Sequence, residues 1–176
     1  MTKTTWVIDP SHSQVGFKVK YMMFTNVSGK FKDFQAIIES DDDQFESLNV
    51  SFTADVNSID TNSIDRDEHL RSADFFDVEK FPTISFVSNS IKKTNQNQFE
   101  MLGEITIRDI TKSITIEIVS SDMMKDPWGK TILGLSLSGK VNRSDYGLDW
   151  NRSLETGGFL VGEEIKLISD IQLVKQ

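Results

Sequence analysis

IDTNSIDRDEHLRSADFFDVEKFPTISF, residues 59–86, crowds both charge signs, a histidine and four phenylalanines into one short span. On either side the chain alternates apolar and polar residues, so this span is the exception and reads as a plug or lid on a β-structure. Asp60, Thr61, Asn62 and Ser63 offer several helix N-caps, and residues 64–71 can make about two helical turns. Ser72, Ala73 and Asp74 can start a further turn, giving a short helical segment near residues 62–77. Phe75, Phe76, Phe81 and Phe86 are too many aromatics for a plain surface loop and are expected to pack into one end of the structure. Arg66, Asp67, Glu68, His69 and Arg71 then ring that end, either as a salt-bridged seal or as groups that bear on ligand access.

Outward from this span the pattern is period two. Val50, Phe52, Ala54 and Val56 alternate with Ser51, Thr53 and Asp55, while Ile84 and Phe86 flank Ser85. Met101, Gly103, Ile105 and Ile107 share one face, as do Ile114, Ile116 and Ile118, and then Leu133, Leu135 and Leu137. Nearer the start, Val15, Phe17, Val19 and Tyr21 alternate with Gly16, Lys18 and Lys20, after a short first strand over residues 5–9 that ends at Pro10. Residues 21–29 read as a loop or bent strand and residues 31–40 as one strand. Asp126-Pro127-Trp128-Gly129 is a turn, residues 142–158 are irregular, and Ile165, Leu167, Ile171 and Leu173 form the last strand. About eight strands, each apolar on one face, leave no crossover helices for a parallel sheet. The antiparallel sheet must close as a barrel or pack as a sandwich.

A chain of 176 residues fits one domain, 1–176, with enough length for a sizeable core, and its twelve phenylalanines supply bulky core material. No run approaches the roughly 18 apolar residues of a membrane span. The first residues hold neither an apolar core segment nor a cleavage site, so the expected location is cytoplasmic, or periplasmic if a signal peptide has been removed. Zero cysteines exclude disulfide and thiolate chemistry. A net charge of −8 argues against nucleic acid or an anionic membrane surface as the main partner. No internal repeat is present.

Taken together, Asp9-x-x-His12-Ser13, Gly29-x-Phe31, Arg66-Asp67-x-His69-Leu70 and Phe75-Phe76-Asp77 resemble the YceI-like family. So do Phe81-Pro82-x-Ile84-x-Phe86, Gly103-x-x-Thr106-Ile107, Thr111-Lys112 and Asn142-Arg143-x-x-Tyr146-Gly147. The resemblance covers essentially the whole chain. It implies an all-β fold, an antiparallel eight-stranded lipocalin-like barrel, that holds a long isoprenoid or similar amphiphile in an internal tunnel. One departure is Asp109-Ile110-Thr111-Lys112, where many relatives have Gly-Val-Thr-Lys; it changes a turn.

The expected function is therefore non-catalytic: carriage or storage of a polyisoprenoid, an isoprenoid quinone or a similar lipid. A tail needs only a dry apolar tunnel, at about 25 cal/mol per Å² of apolar surface buried. Phe17, Val19, Phe52, Ala54, Phe76, Phe86, Ile105, Ile116 and Leu135 are the candidate tunnel lining. A quinone or pyrophosphate head would meet donors at the mouth, for which His12, Arg66, His69, Lys112 and Arg143 are the candidates. Each has a plainer reading: His12 pins the first turn, Arg66 and Arg143 pair with neighbouring acids, Lys112 is solvated. A ligand-free structural or stress-associated barrel is the alternative. A His-dependent hydrolase is a further one; it could be written from Ser13, His69 and Asp67, but no G-x-S-x-G elbow supports it. No metal-ligand spacing joins His12 or His69 to Asp67 or Glu68, and no cofactor or metal is expected. Strand edges could pair two copies into a homodimer.

Overall fold

The computed structural model describes residues 2–176. Twelve strands form one antiparallel sheet: β1 (Lys3–Ile8), β2 (Gln14–Tyr21), β3 (Thr25–Phe31), β4 (Phe34–Asp41), β5 (Asn49–Asp55), β6 (Ile59–Asp60), β7 (Thr83–Asn95), β8 (Gln98–Ile107), β9 (Ile110–Ser120), β10 (Met124–Lys125), β11 (Thr131–Asn142) and β12 (Val161–Lys175). The single α-helix among the described residues, α1, is Ile64–Arg71. Three pairs, β1/β2, β3/β4 and β5/β6, are bent halves of single strands, and β10 is a two-residue flap on β11. What remains is an eight-stranded up-and-down barrel of lipocalin-like form, closed where β12 pairs with β11 on one edge and with β1 and β2 on the other.

Each bend has a chemical cause. Between β1 and β2, Pro10 cannot donate a main-chain N–H. Asp9 caps the short turn by accepting from the Ser11 N–H at 3.0 Å. The Ser13 hydroxyl then accepts from the Gln172 N–H at 3.0 Å, replacing the missing ladder partner. Residues 31–40, expected as one strand, break at Lys32 and Asp33. There the Lys32 N–H reaches the Ser58 carbonyl and the Asp33 N–H reaches the Ser58 hydroxyl. The region read as loop or bent strand instead turns tightly at residues 22–24 and pairs at once, Tyr21 against Thr25.

The β8–β9 hairpin turns on Arg108 and Asp109, both with positive φ (50° and 64°). Two left-handed residues suit the twist of a two-residue hairpin, a geometry usually given to glycine. Arg108 is held there by donating to the Gly147 carbonyl and by stacking over Phe81, 5.7 Å from the ring centre.

One end of the barrel carries residues 61–82, including α1, together with the loop 143–160. The opposite end is filled by Trp6, Ile38, Leu48, Leu133, Ile171 and Leu173, with Phe45 packed against Phe99 at 4.2 Å between ring centres. Between the two ends the inner faces do not meet. Val15, Phe17, Val50, Phe52, Leu135 and Leu137 point inward yet stay part-exposed, because they border open space.

Candidate ligand-binding cavity

That space is a cavity of about 250 Å³. Its wall runs from Leu70, Phe75, Phe76 and Leu148 under the helical end to Phe45 and Leu48 at the other. Val161 and Leu173 of β12 both lie on it. They are separated by about 40 Å of strand, or about 30 Å along the axis at the usual barrel tilt. The space thus suits an extended chain better than a compact ligand. Phe17, Val19, Phe52, Ala54, Phe76, Phe86, Ile105, Ile116 and Leu135 all contribute to the wall. Arg143 is the one charged residue on it among the described residues.

The segment that closes the helical end is pinned mainly by hydrogen bonds, with Lys80 4.0 Å from Asp77 as a peripheral ion pair. Ser63 caps α1, accepting weakly from the Arg66 N–H at 3.4 Å. Asp65 and Asp67 lie in its first turn and His69 and Arg71 in its last, each sign favourable to the helix dipole. Asp67 is 7 % exposed and accepts from the Thr61 N–H at 2.9 Å and the Thr61 hydroxyl at 2.5 Å. Arg66 donates to the same Thr61, through Nε to the hydroxyl at 2.8 Å and through Nη2 to the carbonyl. Arg71 donates to the carbonyls of Asn57 and Ile59. The salt-bridged ring suggested by the charge pattern is thus not what forms: neighbouring charges meet on one threonine and on main-chain carbonyls.

Below this, Phe76 meets Phe31 edge-on at 6.3 Å. Phe75 is buried beside Trp150 at 5.4 Å. His69 stands edge-on to Phe75 and Trp150, at 5.0 and 4.7 Å, and its Nε2 shares a hydrogen bond with Asp74 at 2.9 Å. The imidazole therefore clasps the helical segment to the 143–160 loop. Phe81 lies apart from the cavity, under Arg108.

The loop itself is organised by Arg143, which is 3 % exposed. Its guanidinium donates to the carbonyls of Gly162 (2.8 Å), Leu148 (2.6 Å), Trp150 (2.9 Å) and Val161 (3.4 Å). No carboxylate forms an ion pair with it among the described residues. Burial pulls its pKa down, opposed by the charges of Glu163 and Asp149. Glu163 instead accepts from the Ser144 N–H at 2.9 Å and from the Ser144 hydroxyl. Those bonds, more than the nearby Arg143, hold its carboxyl below the usual 4.5.

Of the five head-group candidates, only Arg143 reaches the cavity. His12 sits exposed on the turn between β1 and β2, with Nδ1 2.8 Å from Asp9, because the turn that Pro10 starts keeps its ring beside the Asp9 cap. This carboxyl is held below its usual 3.8, chiefly by His12 and Ser11. Arg66 points at Thr61 and His69 at Asp74, so neither faces the interior. Lys112 pairs across the ladder with inward Ile105 but stands at the rim, exposed to solvent. Ser13, His69 and Asp67 each have separate partners, Gln172, Asp74 and Thr61, so no nucleophilic triad is assembled. Among the described residues no cluster of His, Asp or Glu is arranged to hold a metal ion. Tyr146, which the sequence marks as part of the 142–147 motif but not as lining, lies on the wall and is 2 % exposed. Its place three residues after Arg143, in a short turn that ends on left-handed Gly147, was the available signal.

The comparisons with known proteins agree with this architecture. Residues 6–173 match the YceI-like domain. A UPF0312 protein of Staphylococcus epidermidis is 37 % identical over 164 residues, covering 93 % of each chain. The crystal structure of Burkholderia cenocepacia BcnA superposes with a TM-score of 0.81 at 21 % identity, over 94 % of this chain and 98 % of that one. A polyisoprenoid binding domain from Saccharophagus degradans, implicated in plant cell wall breakdown, shares the fold with a TM-score of 0.69 at 8 % identity, over 97 % and 98 % of the two chains. The chain belongs to the YceI-like family.

Proposed function

We propose that this protein is a non-catalytic carrier or store that encloses one long apolar amphiphile, a polyisoprenoid, an isoprenoid quinone or a similar lipid. The observation that carries the reading is the elongated interior space, walled by aliphatic and aromatic side chains from the helical end to Phe45. A protein core normally fills such space with its own side chains. Here inward residues such as Phe52 and Leu135 leave it open, so an apolar occupant would add burial without displacing any protein group. The Saccharophagus degradans domain, described as polyisoprenoid binding, shares this barrel form.

Fluorescence offers a direct test, because the three tryptophans sit in different places. Trp150 packs on His69 at the helical end, Trp6 is buried at the other end, and Trp128 is 83 % exposed on an outer turn. Titration with a long-chain isoprenoid quinone is expected to quench emission saturably at near-equal molarity, and to do so equally after Trp128→Phe. Quenching that never saturates, or that disappears with Trp128, would contradict an internal site.

A further inference from the structure

The cavity wall has few polar groups, and their states differ. Of the four residues with polar side chains, Ser138 is exposed, and the other three reduce to one candidate for contact with a ligand head. The Arg143 guanidinium already spends four of its five N–H donors on loop carbonyls. Ser169, inward on β12, lies between Val15 and Leu137 at mid-barrel. Tyr146 is different. It lies on the wall at the helical end, in the same apolar cluster as Phe75, Val141 and Leu148. It is 2 % exposed and its phenol has no hydrogen-bond partner among the described residues, yet the hydroxyl is not sealed: the one fully buried side-chain polar atom left without a partner there is Arg108 Nε. A tyrosine hydroxyl taken out of bulk water normally finds a partner, and the accessible space beside this one is the cavity. The geometry points to the Tyr146 hydroxyl as a ligand donor, awaiting a neutral oxygen acceptor on the head of the bound lipid, such as a quinone, amide or ester carbonyl.

The head's chemistry follows from the surroundings. Burial raises the Tyr146 pKa, with Asp145 adding to it, so the group stays a neutral donor at ordinary pH. An anionic head such as a diphosphate would need several unspent cationic donors, and the one buried cation has turned its own towards Leu148, Trp150, Val161 and Gly162. Lys112 stays out at the rim. One neutral acceptor satisfies the phenol and asks for nothing else. The head therefore lies inward, beneath the helical segment, and the tail runs along the apolar wall towards Phe45.

This inference rests on the reading of the cavity as a lipid site, and three probes separate the two. Wild type and Tyr146→Phe are loaded from detergent with a long-chain isoprenoid quinone, with squalene as a headless hydrocarbon, and with a polyprenyl diphosphate; protein-bound lipid is then quantified by mass spectrometry. Wild type is expected to favour the quinone over both others. Tyr146→Phe is expected to weaken the quinone about five- to tenfold, the worth of one hydrogen bond, and to leave squalene unchanged. Equal retention of quinone by both proteins, an equal loss of all three probes, or preference for the diphosphate overturns the role of Tyr146. Failure of wild type to hold any probe removes the lipid reading itself. Should Tyr146→Phe not fold, the infrared spectrum of quinone bound to wild type decides: a carbonyl stretch lowered from its value in hydrocarbon supports the bond, and an unshifted one overturns it.

Discussion

Residue by residue, charge in this chain is used to tie backbone. Arg71 and Arg143 donate to carbonyls, Arg66 divides its two bonds between the Thr61 hydroxyl and carbonyl, and Asp67 accepts from the same threonine. Residue type and proximity in sequence do not show these partners. An arginine beside an aspartate looks like an ion pair or an anion clamp, and nothing in the letters shows that both turn to Thr61. Replacing Arg66 with alanine should accordingly cost stability, by about 1–2 kcal/mol from two part-buried charged hydrogen bonds. It should leave the ratio of quinone to squalene retention unchanged; a selective loss of the headed lipid would return Arg66 to the site. The Glu163 carboxyl gives a pH signature of its own. Its pKa is lower in the fold than the usual 4.5, so its contribution is complete above pH 4.5 and is lost as pH falls through the folded value. The stability gap between wild type and Glu163→Gln, followed by denaturant titration, should therefore be flat from pH 7 to 5 and shrink on further acidification. A gap that widens on acidification would contradict the assignment.

At the level of elements, alternation was legible and the bend at Lys32–Asp33 was not. The inward residues of β5, β7, β8, β9 and β11 follow directly from period two, since one face alone is apolar. Gly103 obeys the same register, inward between Met101 and Ile105, where a glycine weakens a strand. The structure supplies the reason: a Cβ there would stand 2.4 Å from the Phe86 ring and 2.5 Å from the Val87 carbonyl oxygen. Gly103→Ala is thus expected to lower stability by about 1–3 kcal/mol, as overpacking does, visible as a lower denaturant midpoint. An unchanged midpoint would mean that the Phe86 ring and the β7 backbone yield freely. The break at Asp9–Ser13 showed itself through Pro10, whereas the one at Lys32–Asp33 stayed hidden because it depends on bonds to Ser58, far away in sequence. The helical span announced itself through its caps, and its extent, Ile64–Arg71, matches the two turns they allow.

For the whole molecule, eight one-faced strands had to close on themselves, but barrel and sandwich share that pattern; family resemblance chose between them, and the β12 pairings to β1, β2 and β11 close the ring. Whether a closed barrel is solid or hollow depends on how far facing side chains fall short of one another, a property of three dimensions that composition does not carry. The central claim is that this interior is made to be occupied by a lipid. Organic extraction of the purified protein, followed by mass spectrometry of the extract, tests it most directly. One long apolar species at near-equal molarity to the protein is the predicted result. No extractable lipid, together with no uptake when the protein is offered an isoprenoid quinone, would contradict it.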